Sequence, residues 1–324
     1  MNMHKNNKFF LYAAGIFLSY FYFGIVQEKI TRGKYPYELT KEDGTKVIEN
    51  EKYTYAVTLV LVQCIINYLI ATIASTMWPQ GEDTTRKLYY ASMSFTYLLA
   101  MICSNMALQW VPYPTQVIGK SAKPIPVMIL GVLIGRKTYT VKKYIFVFMI
   151  VFGIVLFMLK DNVKSQSDEA STGIGELLIV LSLILDGLVG AIQDRIRAES
   201  KPTGIQMMQV ANAWSTLFLT VAIVVSKEYL WFYEFACRHP SVVYNLLMLG
   251  ITSAVGQLFL YSMVSEFGPL VVSVVTTTRK FFTVLGSVLI FGNPISSRQW
   301  IGAVIVFTAL FLDAFYSKGA AKKK

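Results

Sequence analysis

The chain has 324 residues, of which 54% are hydrophobic and only 15% charged, and its formal net charge is +11 at pH 7. A soluble domain carries about 25% charged residues, and here the charges sit in short clusters between long apolar runs. This excludes a soluble protein, and also a single anchor on one, because no stretch long enough for the soluble part remains. The expected surroundings are a lipid bilayer, and nucleic acid is not an expected partner.

The first apolar run, Phe9 to Val26, follows Lys5 and Lys8 as a signal peptide would. It continues into Gln27-Glu28-Lys29-Ile30 with no small-residue cleavage site, so it reads as a retained span. Nine more apolar runs follow. The ten spans are roughly 9–27, 53–77, 88–109, 113–135, 142–160, 174–194, 205–226, 241–264, 269–291 and 298–316. All are expected to be helices, because lipid offers the backbone no hydrogen-bond partner and a helix satisfies its own. The fold class is an all-α membrane protein.

Orientation follows from Lys and Arg in the loops. With both termini in the cytosol, that side holds fifteen basic residues against five, leaving aside the mixed 28–52 loop. The halves also resemble each other. A shift of 156 places Lys123 on Arg279, Thr140 on Ser296, and Lys142-Lys143-Tyr144-Ile145 on Arg298-Gln299-Trp300-Ile301. An odd number of spans per half inserts the second half upside down, the inverted-repeat plan of many secondary transporters. The expected organisation is a first repeat over 1–160, a connecting loop over 161–173, a second repeat over 174–316, and a basic cytosolic tail over 317–324.

Four cations fall inside the spans: Lys120, Lys123, Arg279 and Lys280. A cation at the centre of a bilayer helix costs ~2.5–3.5 kcal/mol by insertion scales. Snorkelling to the interface is a poor escape this deep. Glu28, Asp186 and Asp313 lie near or inside spans, but closer to span ends, or too few to neutralise four cations. An anion site is therefore expected. Gln116, Lys120 and Lys123 share one helix face by their spacing. Pro124 and Pro126 follow at once and invite a break, which is tolerated where it lines a cavity. In the second half, Thr276, Thr277, Lys280 and Thr283 form a hydroxyl-rich cationic face.

Several patterns carry less. Pro114 to Ser121 reads P-x-x-x-x-G-K-S, one residue from a P-loop, but no strand precedes it. Gly131 and Gly135 suit helix packing. Tyr20, Phe21, Tyr22 and Phe23 could offer a ring to a nucleobase, though lipid-facing aromatics are common. Cys64, Cys103 and Cys237 read as unpaired small hydrophobes. His4 and His239 are the only two histidines, both outside spans. No metal, cofactor or catalytic residue is expected, and the chain does not read as an enzyme.

The segments Tyr22 to Gly33 (YFGIVQEKITRG), Tyr113 to Met128 (YPTQVIGKSAKPIPVM) and Thr276 to Phe282 (TTTRKFF) resemble the nucleotide-sugar transporter family of the drug/metabolite transporter superfamily. The similarity runs over nearly the whole chain. It is closest to the subgroup of endoplasmic reticulum ATP/ADP exchangers, also described as UDP-galactose transporter homologues. The resemblance implies ten helices, cytosolic termini, an endoplasmic reticulum location and alternating-access exchange of ATP for ADP. It implies that Lys120, Lys123, Arg279 and Lys280 contact phosphates, and that Glu28 and Gln116 lie in the same cavity. Tyr113 and Thr276 sit inside the matching segments and are expected there too. The tail departs from the dilysine retention pattern of many such proteins: Lys322 is third from the end, but Ala321 and Ala320 precede it. Two other readings stand beside this one, a UDP-sugar/nucleoside monophosphate antiporter and a non-transporting membrane receptor or scaffold.

Overall fold

The computed structural model describes residues 2–31, 33–40, 46–107, 110–111, 116, 119–158, 173–290 and 296–321. Side chains are not described at 2–5, 38–40, 46–49, 158, 283–290 and 313–321. The chain forms α1 (Asn2–Thr31), a hairpin of β1 (Tyr35–Thr40) and β2 (Lys46–Glu51), α2 (Ala56–Met77), α3 (Lys87–Ala107), α4 (Pro124–Leu133), α5 (Val141–Met158), α6 (Ile174–Glu199), α7 (Gly204–Ser226), α8 (Glu228–Arg238), α9 (Pro240–Phe267), α10 (Pro269–Ile290) and α11 (Ser297–Ala321).

Helix starts follow from local chemistry. Pro124, Pro240 and Pro269 each open a helix, where a missing N–H costs nothing and the fixed φ is already helical. Gly268 precedes the last of these with φ +95°, a turn that only glycine makes without strain. A reciprocal cap opens α7: Thr203 Oγ1 accepts from Gln206 N at 3.3 Å while Thr203 N donates to Gln206 Oε1 at 2.9 Å. Ser296 and Gln299 repeat this arrangement at the start of α11.

Five helices among the described residues are long and apolar enough to cross a bilayer: Asn6–Thr31, Ala56–Met77, Ile174–Glu199, Gly204–Ser226 and Pro240–Phe267. Large apolar side chains point outward along these and other helices, among them Leu18, Ile73, Phe148, Val225 and Phe311. A soluble protein does not present so much apolar surface; a bilayer accommodates it. The chain is a multi-pass helical membrane protein. One element lies outside the helical expectation: the 28–52 loop carries the two-stranded hairpin, paired antiparallel with Tyr35 opposite Glu51. A hairpin is possible there because its open edges need not face lipid.

The chain packs into two compact units, residues 1–91 with 202–265, and residues 92–201 with 266–324. Each draws on both sequence halves, so the units are a different partition from the expected repeats. The connecting loop over 161–173 lies outside the described residues except for Gly173.

In the first unit, α2 packs along α7. Asn67 Nδ2 donates to Asn212 Oδ1 at 3.3 Å, and Asn212 Nδ2 donates to Gln257 Oε1 of α9 at 2.8 Å, so polar contacts join three apolar helices. At one end, Val26 and Ile30 of α1, Tyr35 of the hairpin, Tyr53, Leu59 of α2, Phe235 of α8 and Leu246 of α9 share a core. Glu228 Oε1 accepts from both the N–H and the hydroxyl of Thr58, at 2.8 Å each, and so caps the first turn of α2. Arg238 and His239 both reach Glu51. The 28–55 and 227–239 connections therefore lie at the same end of this unit.

In the second unit, α5 and α11 pack closely, with Val147, Ile150, Ile154 and Phe157 meeting Ala303, Val306 and Ala309. Helix α10 adds Leu270, Val274 and Phe281 to this core. Helix α6 lies against Val111, Gly119 and α4, and that contact builds the site.

Candidate anion site

The site begins with a run of positions on α6. Gly175, Ile179, Ser182, Asp186, Gly190 and Asp194 recur every three or four residues and so share one face. Each meets the facing chain. A Cβ on Gly175 would stand 2.5 Å from the Val111 side chain, and one on Gly119 would stand 2.7 Å from Ile179. A Cβ on Gly187 would come within 2.8 Å of the Pro126 backbone, and one on Gly190 within 2.9 Å of the Val127 side chain. These glycines let α6 approach α4 far more closely than larger residues would allow.

The break expected before Pro124 is present. Residues 119–121 are helical, 122–123 form a turn, and α4 starts anew at Pro124. Within the turn, Ala122 N bonds Gly119 O at 3.0 Å and Lys123 N bonds Lys120 O at 3.3 Å, a tighter winding than an α-helix. The break sets Lys120 and Lys123 beside the middle of α6. Lys120 Nζ donates to Asp186 Oδ2 at 2.5 Å and to Ser182 Oγ at 2.5 Å. Lys123 Nζ donates to Asp186 Oδ1 at 3.0 Å. Ser182 is fixed in turn, since its hydroxyl donates to Ala100 O of α3 at 2.8 Å. The exposure of the side chains is graded: 6% for Asp186, 17% for Lys120 and 35% for Lys123.

Other expected residues belong to the same unit. Gln116 is buried, and its Nε2 donates to Ser104 O at 2.6 Å and Ser104 Oγ at 3.0 Å. Arg279 and Lys280 are half-buried on α10. Lys280 lies within electrostatic reach of Lys123, its neighbour Arg279, Lys120 and Asp186, so the two distant stretches approach each other. Lys280 has no hydrogen bond or ion pair with a described residue. Thr276 Oγ1 donates back along α10 to Val272 O and Ser273 O, leaving its oxygen only as an acceptor. Thr277 is buried.

Tyr113 lies outside the described residues, as do the side chains of Thr283 and Asp313. Glu28 is exposed and belongs to the other unit. Tyr20 packs edge-on against Phe23 and beside Gly256, while Phe21 and Tyr22 face outward. Gly131 and Gly135 pack against Asp194, which supports their packing role.

Sequence reasoning named Asp186 but set it aside as a partner. The expectation that the acids were too near span ends is corrected here: Asp186 is buried and paired with two of the four cations. It also missed Ser182 and Ser104. The available signal was Ser182 and Asp186 four apart in an apolar run, a polar pair on one helix face. A second carboxylate, Asp194, sits two turns further along α6 with Arg197 at 3.4 Å and Lys137 at 3.7 Å. It ties the 136–140 loop to the end of α6.

The pattern of the UAA transporter family matches residues 8–317. The chain belongs to the UAA transporter family. It is 54% identical over 320 residues to the Solute carrier family 35 member B1 homolog of Drosophila melanogaster, covering 99% of this chain and 94% of that protein. Solute carrier family 35 member B1 of Xenopus tropicalis is 50% identical over 310 residues, and that of Bos taurus 50% over 309 residues, each covering 95% of this chain and 93% of the relative. A UAA transporter is a carrier and not an enzyme.

Proposed function

We propose that this UAA transporter is an alternating-access antiporter that carries ATP into the lumen of the endoplasmic reticulum in exchange for ADP. Ten spans in two inverted five-helix repeats, with both termini in the cytosol, would form the carrier. Two features support that plan. Helices α2 and α7, and likewise α5 and α11, are matched by the 156-residue shift and pack in pairs. The 28–55 and 227–239 connections lie at one end of their unit, as a shared lumenal side requires.

The observation that carries the reading is that Lys120 and Lys123 are paired on Asp186 and that Lys280, beside Arg279 on α10, lies within electrostatic reach of all three. Among the described residues Lys120, Lys123 and Lys280 face the single carboxylate of Asp186, so positive charge is in excess in a low-dielectric interior, where opposite charge is attracted strongly. A cargo with several phosphates balances that excess; a neutral sugar does not. Arg279 offers a planar fork for two phosphate oxygens, and the lysines act as point charges. Gln116, held by Ser104, borders the same stretch.

The test is exchange in proteoliposomes loaded with ADP. Labelled ATP should enter only when ADP is inside, and UDP-sugars, UMP and inorganic phosphate should compete poorly. Uptake replaced by a UDP-sugar would move the cargo to the nucleotide-sugar class and leave the site standing. No exchange of any of these by folded protein would overturn the reading.

A further inference from the structure

We propose that Asp186 is an internal stand-in for a substrate phosphate. Its carboxylate bridges Lys120 and Lys123, and an incoming polyphosphate displaces it from them. The inference rests on the proposed role of these lysines as phosphate ligands and adds the group that competes with the cargo.

The geometry is that of an occupied anion site. Each carboxylate oxygen takes one ammonium, Oδ2 from Lys120 and Oδ1 from Lys123. Two oxygens of a phosphate would present the same pair of acceptors. Among the described residues no group but the two ammoniums donates to Asp186. This distinguishes it from Ser182, which is anchored independently on Ala100 O.

The two lysines are not equivalent. An ammonium has three N–H donors. Lys120 uses two, on Asp186 and Ser182, and is the more buried. Lys123 uses one and is the more open. Lys123 is therefore the arm that turns to a cargo first, while Lys120 is the post that Ser182 keeps in place. The close approach at Gly187 and Gly190 sets α6 near enough for one short carboxylate to reach both.

This arrangement lowers the affinity of the site by a fixed amount. A phosphate gains the lysines only by taking them from a buried carboxylate, which then loses its partners. On release the carboxylate recaptures them. A carrier that must let its cargo go on the far side gains turnover from such competition, since interactions that hold the bound state too firmly slow the cycle. Among anions, those with the most charge displace Asp186 most readily, so the device favours polyphosphates over monophosphates.

The experiment uses the full-length protein in nanodiscs and proteoliposomes. ATP affinity is measured by titration, and exchange by initial rates, for the wild type, Asp186→Asn, Asp186→Glu and Lys123→Gln. Asp186→Asn should bind ATP several-fold tighter, with both KM and kcat lowered, while Asp186→Glu stays within about threefold of wild type. Equal or weaker ATP binding by a folded Asp186→Asn would overturn the proposal and assign Asp186 a purely structural role. A second measurement needs no variant. Solid-state NMR of the wild type should show a lysine ¹⁵Nζ–aspartate ¹³Cγ coupling that weakens on adding ATP, above the constant contribution of Lys137 and Asp194. An unchanged coupling would also overturn it. If Lys123→Gln binds ATP as the wild type does, the phosphate role of the lysines falls first. If it loses ATP while Asp186→Asn gains nothing, only the competition falls.

Discussion

Gly153 and Gly302 face each other so closely that neither position has room for a side chain. A Cβ on Gly153 would stand 2.9 Å from Gly302 O, and a Cβ on Gly302 would stand 2.7 Å from Gly153 O. The obstacle in each case is backbone, which cannot swing aside. The two glycines thus set the spacing of α5 and α11, the pair that carries the core of the second unit.

Gly153→Ala and Gly302→Ala should each force the helices apart. Overpacking of this kind costs about 1–3 kcal/mol. Thermal unfolding in detergent is the measurement, and each variant should melt lower than wild type. Because each glycine meets the other's carbonyl, the double variant should cost less than the sum of the singles.

Gly187→Ala should act on transport as well as stability. Its Cβ would press on Pro126 C and O at 2.8 Å, again backbone. Relief requires α6 to move from α4, which separates Asp186 from Lys120 and Lys123. The expected result is a loss of about 1–3 kcal/mol of stability and weaker nucleotide exchange. Gly24→Ala, where a Cβ would meet nothing within 4 Å, is the control and should leave both unchanged.

Lys120→Gln should cost more stability than Lys123→Gln. Removing either lysine leaves Asp186 paired with the other, so the cost falls below the roughly 3–5 kcal/mol of a buried charge left wholly unpaired. Lys120 is the more buried of the two and also serves Ser182, so its loss strands more. Both variants should lower ATP exchange at least tenfold, read as initial rates in proteoliposomes.

Acid should loosen the hairpin. Burial pushes Glu51 up, but hydrogen bonds from Arg238 and His239 and their charges outweigh it, so the carboxyl is held below its ordinary value of 4.5. A carboxyl with a lowered folded value stabilises fully above 4.5, and that contribution fades as pH falls below it. Hydrogen exchange of the 35–55 segment should therefore rise below about pH 4.5 in the wild type. Glu51→Gln should already exchange faster at pH 7 and show no further change across that window.

The spans were legible because lipid imposes a simple rule. An apolar stretch long enough to cross must be a helix, and α1, α2, α6, α7 and α9 lie close to where hydropathy places them. The break at Lys123 was legible because proline at 124 cannot continue the preceding turn. The hairpin was not, since the 32–52 stretch carries no long apolar run, so several backbone forms are permitted and tertiary contacts choose among them. Its strands are held by Tyr35 against Phe235 and by Glu51 on Arg238, contacts across nearly two hundred residues.

The sequence by itself determined that the chain threads a membrane as helices and that four cations within it need an anion, because both follow from the cost of placing backbone and charge in lipid. Only the tertiary structure decided which anion answers first. Asp186 is sixty-six residues from Lys120, and nothing in their separation along the chain marks them as neighbours. They meet because Gly187 and Gly190 let α6 close on α4, and because the turn at 122–123 aims both lysines at one carboxylate.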